Sequence, residues 1–101
     1  MDKATVVVVG SGGREHALCL SLDSSPQVGS IHCVPGNAGT ARMATNHAND
    51  MTTPSLVALF QDLDADLVVV GPEAPLCAGL ADACAEHGLA CFGPVAALAH
   101  L

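Results

Sequence analysis

Four short apolar runs punctuate the chain, and each stops at a glycine or a proline. Thr5–Val9 is a β-branched run ended by Gly10, the pattern of a strand buried on both faces. Gly29–Val34, Asp66–Val70 and Leu89–Phe92 repeat the theme and read as a second, third and fourth strand. Between them the apolar period changes from that of strands to that of helices. Arg14–Leu22 places Ala17, Leu18 and Leu22 on one side, so a helix is expected there. A second helix is expected with Thr53 as cap and Pro54 at its first position. Its apolar residues Leu56, Leu59, Phe60 and Leu63 recur at i, i+3, i+4 and i+7. Pro75–His87 reads as a third helix that buries Leu76, Leu80, Ala83 and Cys84 and stops at Gly88. Ala41–Thr53 has no clear period and is assigned extended structure, and an Ala/Leu-rich helical start follows Gly93-Pro94.

Alternation of strand and helix predicts a parallel sheet joined by right-handed crossovers, with helices on both faces. The fold class is therefore α/β, Rossmann-like. One consequence bears on function. The loops Gly10–Arg14, Pro35–Thr40, Gly71–Pro75 and Gly93-Pro94 each follow the carboxyl end of a strand, and in a parallel sheet those ends share one edge. All the glycine- and proline-rich loops are thus expected on one rim, where such sheets bind ligands.

Composition narrows the classes. A length of 101 residues fits one domain, 1–101, and is too short for a complete enzyme of several domains. Three Lys plus Arg against ten Asp plus Glu give a net charge of −7, which excludes the basic face that nucleic-acid binding requires. An anionic ligand must then be caught by local dipoles rather than by long-range attraction. The five cysteines form no C-x-x-C pair and sit mostly among apolar residues, as thiols do in a reducing compartment. The apolar run of MDKATVVVVG is too short for a signal peptide or a membrane span, so a cytoplasmic location with no membrane partner is expected.

The loops carry the candidate chemistry. GSGGREH places Gly10, Gly12 and Gly13 directly before a helix, where backbone amides and the helix dipole can hold a phosphate beside Arg14. The dinucleotide fingerprint fails here. Glu15 stands where its third glycine belongs, and Val34-Pro35-Gly36-Asn37 puts no acid after the second strand to bind a ribose. Glu15 is explained either by the helix dipole or by a hydroxyl or amine of a ligand. His16 reads as a partly buried helical histidine. Asn37, Gly39 and Thr40 in NAGT offer polar groups and an unhindered amide, although a plain turn explains them equally. In GPEAP, Pro72 and Pro75 stiffen a loop that aims the Glu73 carboxylate, either at sugar hydroxyls or simply at solvent.

VVVVGSGGREHAL, PGNAGTA, DLVVVGPEAPL and CFGP, in this order and spacing, resemble the N-terminal domain of the glycinamide ribonucleotide synthetases, or phosphoribosylamine–glycine ligases. The resemblance runs from about Thr5 to the last residue. It implies a pre-ATP-grasp Rossmann-like domain that helps hold a phosphoribosyl substrate. The parent ligase would join phosphoribosylamine and glycine at the expense of ATP, with Mg²⁺, in purine synthesis. ATP and metal would belong to the downstream ATP-grasp domain, which together with the C-terminal domain is absent here, so the present residues alone are expected to be inactive. Carried across, Gly12, Gly13 and Arg14 would lie at the phosphoribosyl site with Glu15, Asn37, Gly39, Thr40, Pro72 and Glu73 around it. Val95 departs from the Thr or Ser that the family usually carries after FGP. The alternatives are a stand-alone nucleotide-binding or regulatory module that uses the same rim, and a folding unit with no ligand.

Overall fold

The computed structural model describes residues 3–71, 77–93 and 96. Five parallel strands form one sheet: β1 (Ala4–Gly10), β2 (Val28–Pro35), β3 (Thr45–Asn46), β4 (Leu67–Val70) and β5 (Cys91–Phe92). Their spatial order is β3-β2-β1-β4-β5. The chain winds outward from β1 in one direction and then returns to continue from β1 in the other. The switch point lies between β1 and β4.

Val6 and Val8 of β1 join Ile31, Cys33, Leu67 and Val69 on one face, against Leu18, Cys19 and Leu22 of α1 (Gly13–Asp23). Val7 and Val9 point the other way, with Val34, Val68 and Val70, against α2 (Thr53–Asp62) and α3 (Cys77–Glu86). Helices thus cover both faces, and the sheet reads as unbroken valine because neither face meets water. Each fully buried valine contributes roughly 1.5–3 kcal/mol.

Three helix details differ from the expectation. On α1 the buried stripe is Glu15, Leu18, Cys19 and Leu22, at i, i+3, i+4 and i+7, and Ala17 lies outside it, exposed. On α2 the cap is Thr52, whose Oγ1 accepts from Ser55 N–H at 3.4 Å, so Pro54 falls at the second helical position. The sheet-facing side of α2 is Leu56, Val57 and Phe60, while Leu59 and Leu63 are only partly buried at its border. Both α2 and α3 end in paired backbone bonds that demand a left-handed residue. Asp64 N–H reaches Gln61 O and Ala65 N–H reaches Phe60 O, with Asp64 at φ 51°. Gly88 at φ 70° plays the same part after α3. Leu89 therefore completes the stop of α3, and β5 begins only at Cys91. The stretch expected to be extended contains a 3-10 turn at Thr40–Arg42, then the edge strand β3, then irregular chain up to the α2 cap. Leu76 and the start after Pro94 lie outside the described residues, apart from Ala96.

Cys19, Cys33 and Cys84 are buried as small apolar side chains. Cys19 and Cys33 are in thiol–thiol contact at 3.2 Å between α1 and β2. The hydrogen bond with Cys33, together with burial, pushes the Cys19 thiol far above its ordinary range. The same bond draws Cys33 downward while burial opposes it.

At the sheet edge, His32 Nδ1 and His47 Nε2 stand 2.8 Å apart with their rings tilted by 38°. One ring must donate and the other accept, so a doubly protonated pair would set two N–H groups head to head. Burial first, and the neighbouring His47 second, lower the pKa of His32 below its ordinary 6.5. The unfolded chain then binds more protons than the folded one below that value, and stability falls as pH drops through it. We expect the thermal midpoint to decline from pH 7 to pH 5 in the wild type and to decline less in His32→Gln. Asp50, held low mainly by the Thr52 N–H, titrates below this window.

Candidate functional site at the switch point

The carboxyl ends of the strands meet through backbone bonds. Gly71 N–H donates to Val9 O at 3.0 Å, and Gly36 N–H donates to Gly10 O at 3.1 Å. Asn37 then ties the second loop to the first, its Nδ2 donating to Ser11 O at 2.7 Å and to Gly12 O at 3.2 Å. The loops after β1 and β2 therefore share one edge of the sheet with Gly71, the first residue after β4. Pro72 and Glu73 lie outside the described residues.

Gly12 is the cap of α1, in extended backbone at φ −87° and ψ −179°. The first i to i−4 bond of the helix runs from His16 N–H to Gly12 O at 3.3 Å. The amides of Gly13 and Arg14 come before that bond and point out of the helix start, where the dipole is positive. Both residues are exposed, and among the described residues none stands within 4 Å of a Cβ built on Gly13. Arg14 is the one Lys or Arg in the four loops.

Glu15 behaves differently. Its carboxylate is 1% exposed, and its Oε2 accepts the Gly12 N–H at 3.1 Å. A glycine cap has no side chain to return the favour, so only the reciprocal half of a capping box exists. The Gly12 amide is thereby spent inside the protein. The outward donor set is narrower than the glycine count suggests: Ser11, Gly13 and Arg14.

The NAGT loop is also turned inward. Asn37 Oδ1 accepts from Thr40 N–H at 2.9 Å, and Thr40 Oγ1 accepts from Asn37 N–H at 2.8 Å. Thr40 is fully buried, and Asn46 closes the cluster with bonds to Thr40 Oγ1 and Asn37 O, each at 2.8 Å. Gly39 has the His16 ring over it, so a Cβ there would lie 2.7 Å from Nδ1. These residues shape the second loop and hold it against the first. An open depression of about 510 Å³ bordered by Asp23, Ser30, Arg42 and Thr45 lies towards the opposite, amino-terminal side of the strands.

Residues 4–101 match the family model of the phosphoribosylglycinamide synthetase N domain. The chain belongs to that family. Among relatives of this N domain, the phosphoribosylamine–glycine ligase of Mycobacterium bovis is 53% identical over 90 residues, or 88% of the chain. That of Streptomyces coelicolor is 53% identical over 97 residues, or 95% of the chain. The chain spans 21% and 23% of the lengths of these two relatives, about a fifth. The crystal structure of phosphoribosylamine–glycine ligase from Thermotoga maritima superposes with a TM-score of 0.55 at 32% identity. That match covers 71% of the chain and 17% of the other.

The sequence did not foretell two features of this N domain. The clamp made by Glu15 had a signal, since an acid three residues after a helix cap is the capping-box spacing. Asn46 had none, because its partners are brought to it only by the β2–β3 pairing.

Proposed function

We propose that this chain is the phosphoribosyl-holding N domain of a phosphoribosylamine–glycine ligase acting in the cytoplasm. The observation that carries the reading is the start of α1. Two exposed first-turn amides and one guanidinium sit at the β1–β4 switch point, in a chain whose relatives are named for that ligase. The phosphate takes Gly13 and Arg14, by backbone amide and side chain, with Ser11 beside them. A phosphate placed there gains charge-assisted hydrogen bonds without help from the net charge of −7. Gly12, Asn37, Gly39 and Thr40 set the loop shapes. Pro72 and Glu73 bring a carboxylate to the sugar hydroxyls, a role carried over from the family resemblance.

In the parent reaction, ATP, phosphoribosylamine and glycine give glycinamide ribonucleotide, ADP and phosphate. The described rim does not suit a magnesium–triphosphate. It offers one arginine, and the carboxylate of Glu15 is buried against Gly12. We assign ATP and Mg²⁺ to an ATP-grasp partner domain of the ligase, and we expect no ligation from these residues alone.

Titration of the ¹⁵N-labelled chain with ribose 5-phosphate tests the reading. The largest shifts are expected at Ser11, Gly13 and Arg14, and Arg14→Ala is expected to weaken binding about tenfold, the loss of one charged hydrogen bond. Shifts confined to Asp23, Ser30 and Thr45 would contradict it. Tighter binding of AMP or NAD than of ribose 5-phosphate would favour a stand-alone nucleotide module instead.

A further inference from the structure

Glu15 stands where the dinucleotide pattern needs glycine for close helix–strand contact. In α1 it is the third helical residue, and side chains in a helix lean back towards the amino terminus. Its carboxylate therefore returns under the loop it follows. There it accepts the Gly12 N–H at 3.1 Å. It also fills the space that a side chain at Gly10 or at Gly71 would need, because a Cβ built on either would overlap Oε1. Gly10 ends β1 and Gly71 follows β4. One buried carboxylate thus touches the cap of α1 and both strand ends that flank the switch point.

We propose that Glu15 is a positioning residue: it locks the β1 loop to Gly71 at the end of β4 and so fixes the direction in which the Gly13 and Arg14 amides point. The proposal rests on the phosphoribosyl reading of that rim. It gives Glu15 a part that needs no contact with ligand, which agrees with its 1% exposure. It also explains why the chain keeps glycine at both 10 and 71 while spending one amide of its anion nest on its own side chain.

The test uses the ¹⁵N-labelled chain with Glu15→Ala and Glu15→Gln, read by Gly12 and Gly71 amide exchange and by the Kd for ribose 5-phosphate. Glutamine keeps an oxygen acceptor of the same reach, so it is expected to preserve Gly12 protection and to bind within threefold of the wild type. Alanine is expected to lose that protection and to weaken binding about tenfold. A merely structural Glu15 would lower the melting temperature of the alanine variant and leave the Kd of its folded form alone. Binding within threefold by folded Glu15→Ala overturns the proposal, and so does a loss in Glu15→Gln equal to that in Glu15→Ala. Should the alanine variant fail to fold, Glu15→Asp, one methylene too short to reach Gly12, takes its place with the same two outcomes. If the wild type itself does not bind ribose 5-phosphate, the functional reading fails. The lock between the β1 loop and Gly71 then stands or falls on the amide exchange alone.

Discussion

Gly10→Ala is expected to lower the stability of the chain by about 2–6 kcal/mol. Two independent effects add. Gly10 holds φ at 144°, a conformation closed to residues with a Cβ at a cost of about 1–3 kcal/mol. The new methyl would also overlap the Glu15 carboxylate, and overpacking a buried site costs about 1–3 kcal/mol. For a domain of this size each kcal/mol moves the melting temperature by about 4–8 °C, so a fall of about 8 °C or more is expected in a thermal melt. Gly79→Ala is the internal control. It lies within α3, nothing among the described residues stands within 4 Å of its would-be Cβ, and a gain of about 0.5–1 kcal/mol is expected there. A Gly10→Ala melt within 3 °C of the wild type would contradict the packing described around Glu15.

Phe60→Ala is expected to cost about 3–5 kcal/mol, the range for an aromatic ring removed from a closed core. Phe60 is fully buried and heads the largest enclosed side chains. It packs from α2 into the cluster of Val7, Val9, Val68 and Val70, on the face of the sheet away from α1. The cavity left behind has β1 and β4 as its floor, and these strands have little freedom to collapse into it. Leu59, its neighbour at the border of the same cluster, is partly exposed, and Leu59→Ala is expected to cost less than half as much. Urea midpoints at constant m-value measure both. Equal losses at the two positions would mean that α2 does not face the sheet as described.

Much of this was legible in the sequence, and the reasons are physical. The valine run of β1 and the DLVVV of β4 could only be strands sealed on both faces, and the turn residues after them put their ends on one rim. The helices were legible in existence and less so in rotation. Ala17 and Leu18 are equally apolar by period alone, and only the sheet decides that Cys19 rather than Ala17 turns inward. At the start of α2, Thr52 and Thr53 are equivalent caps by residue type, and the choice is made where Asp50 folds the preceding chain, with Thr52 N–H and Oγ1 both bonded to its carboxylate. The two-residue strand β3 was legible only as part of a longer extended stretch, since Thr45–Asn46 has no pattern of its own and pairs only because β2 offers an open edge.

The candidate site divides in the same way. Gly12 and Gly13 were legible as the start of α1, because loop glycines before a helix have a backbone consequence that does not depend on tertiary contacts. Asn37 and Thr40 looked like outward donors, and the structure spends their polar atoms on each other and on Ser11, Gly12 and Asn46. A polar side chain in a turn has no signature that separates a partner in the protein from a partner in a ligand. Glu15 carries the same lesson in reverse, because an acid in a first helical turn suggests solvent or ligand, and here it is buried beneath the loop.

A crystal structure of the chain with glycinamide ribonucleotide measures directly where the sugar phosphate goes. The expected result is a phosphate within hydrogen-bond distance of the Gly13 and Arg14 amides, with the ribose lying across the β1–β4 boundary towards Gly71. A nucleotide seated instead by Asp23 and Ser30, at the amino-terminal side of the strands, would contradict the account.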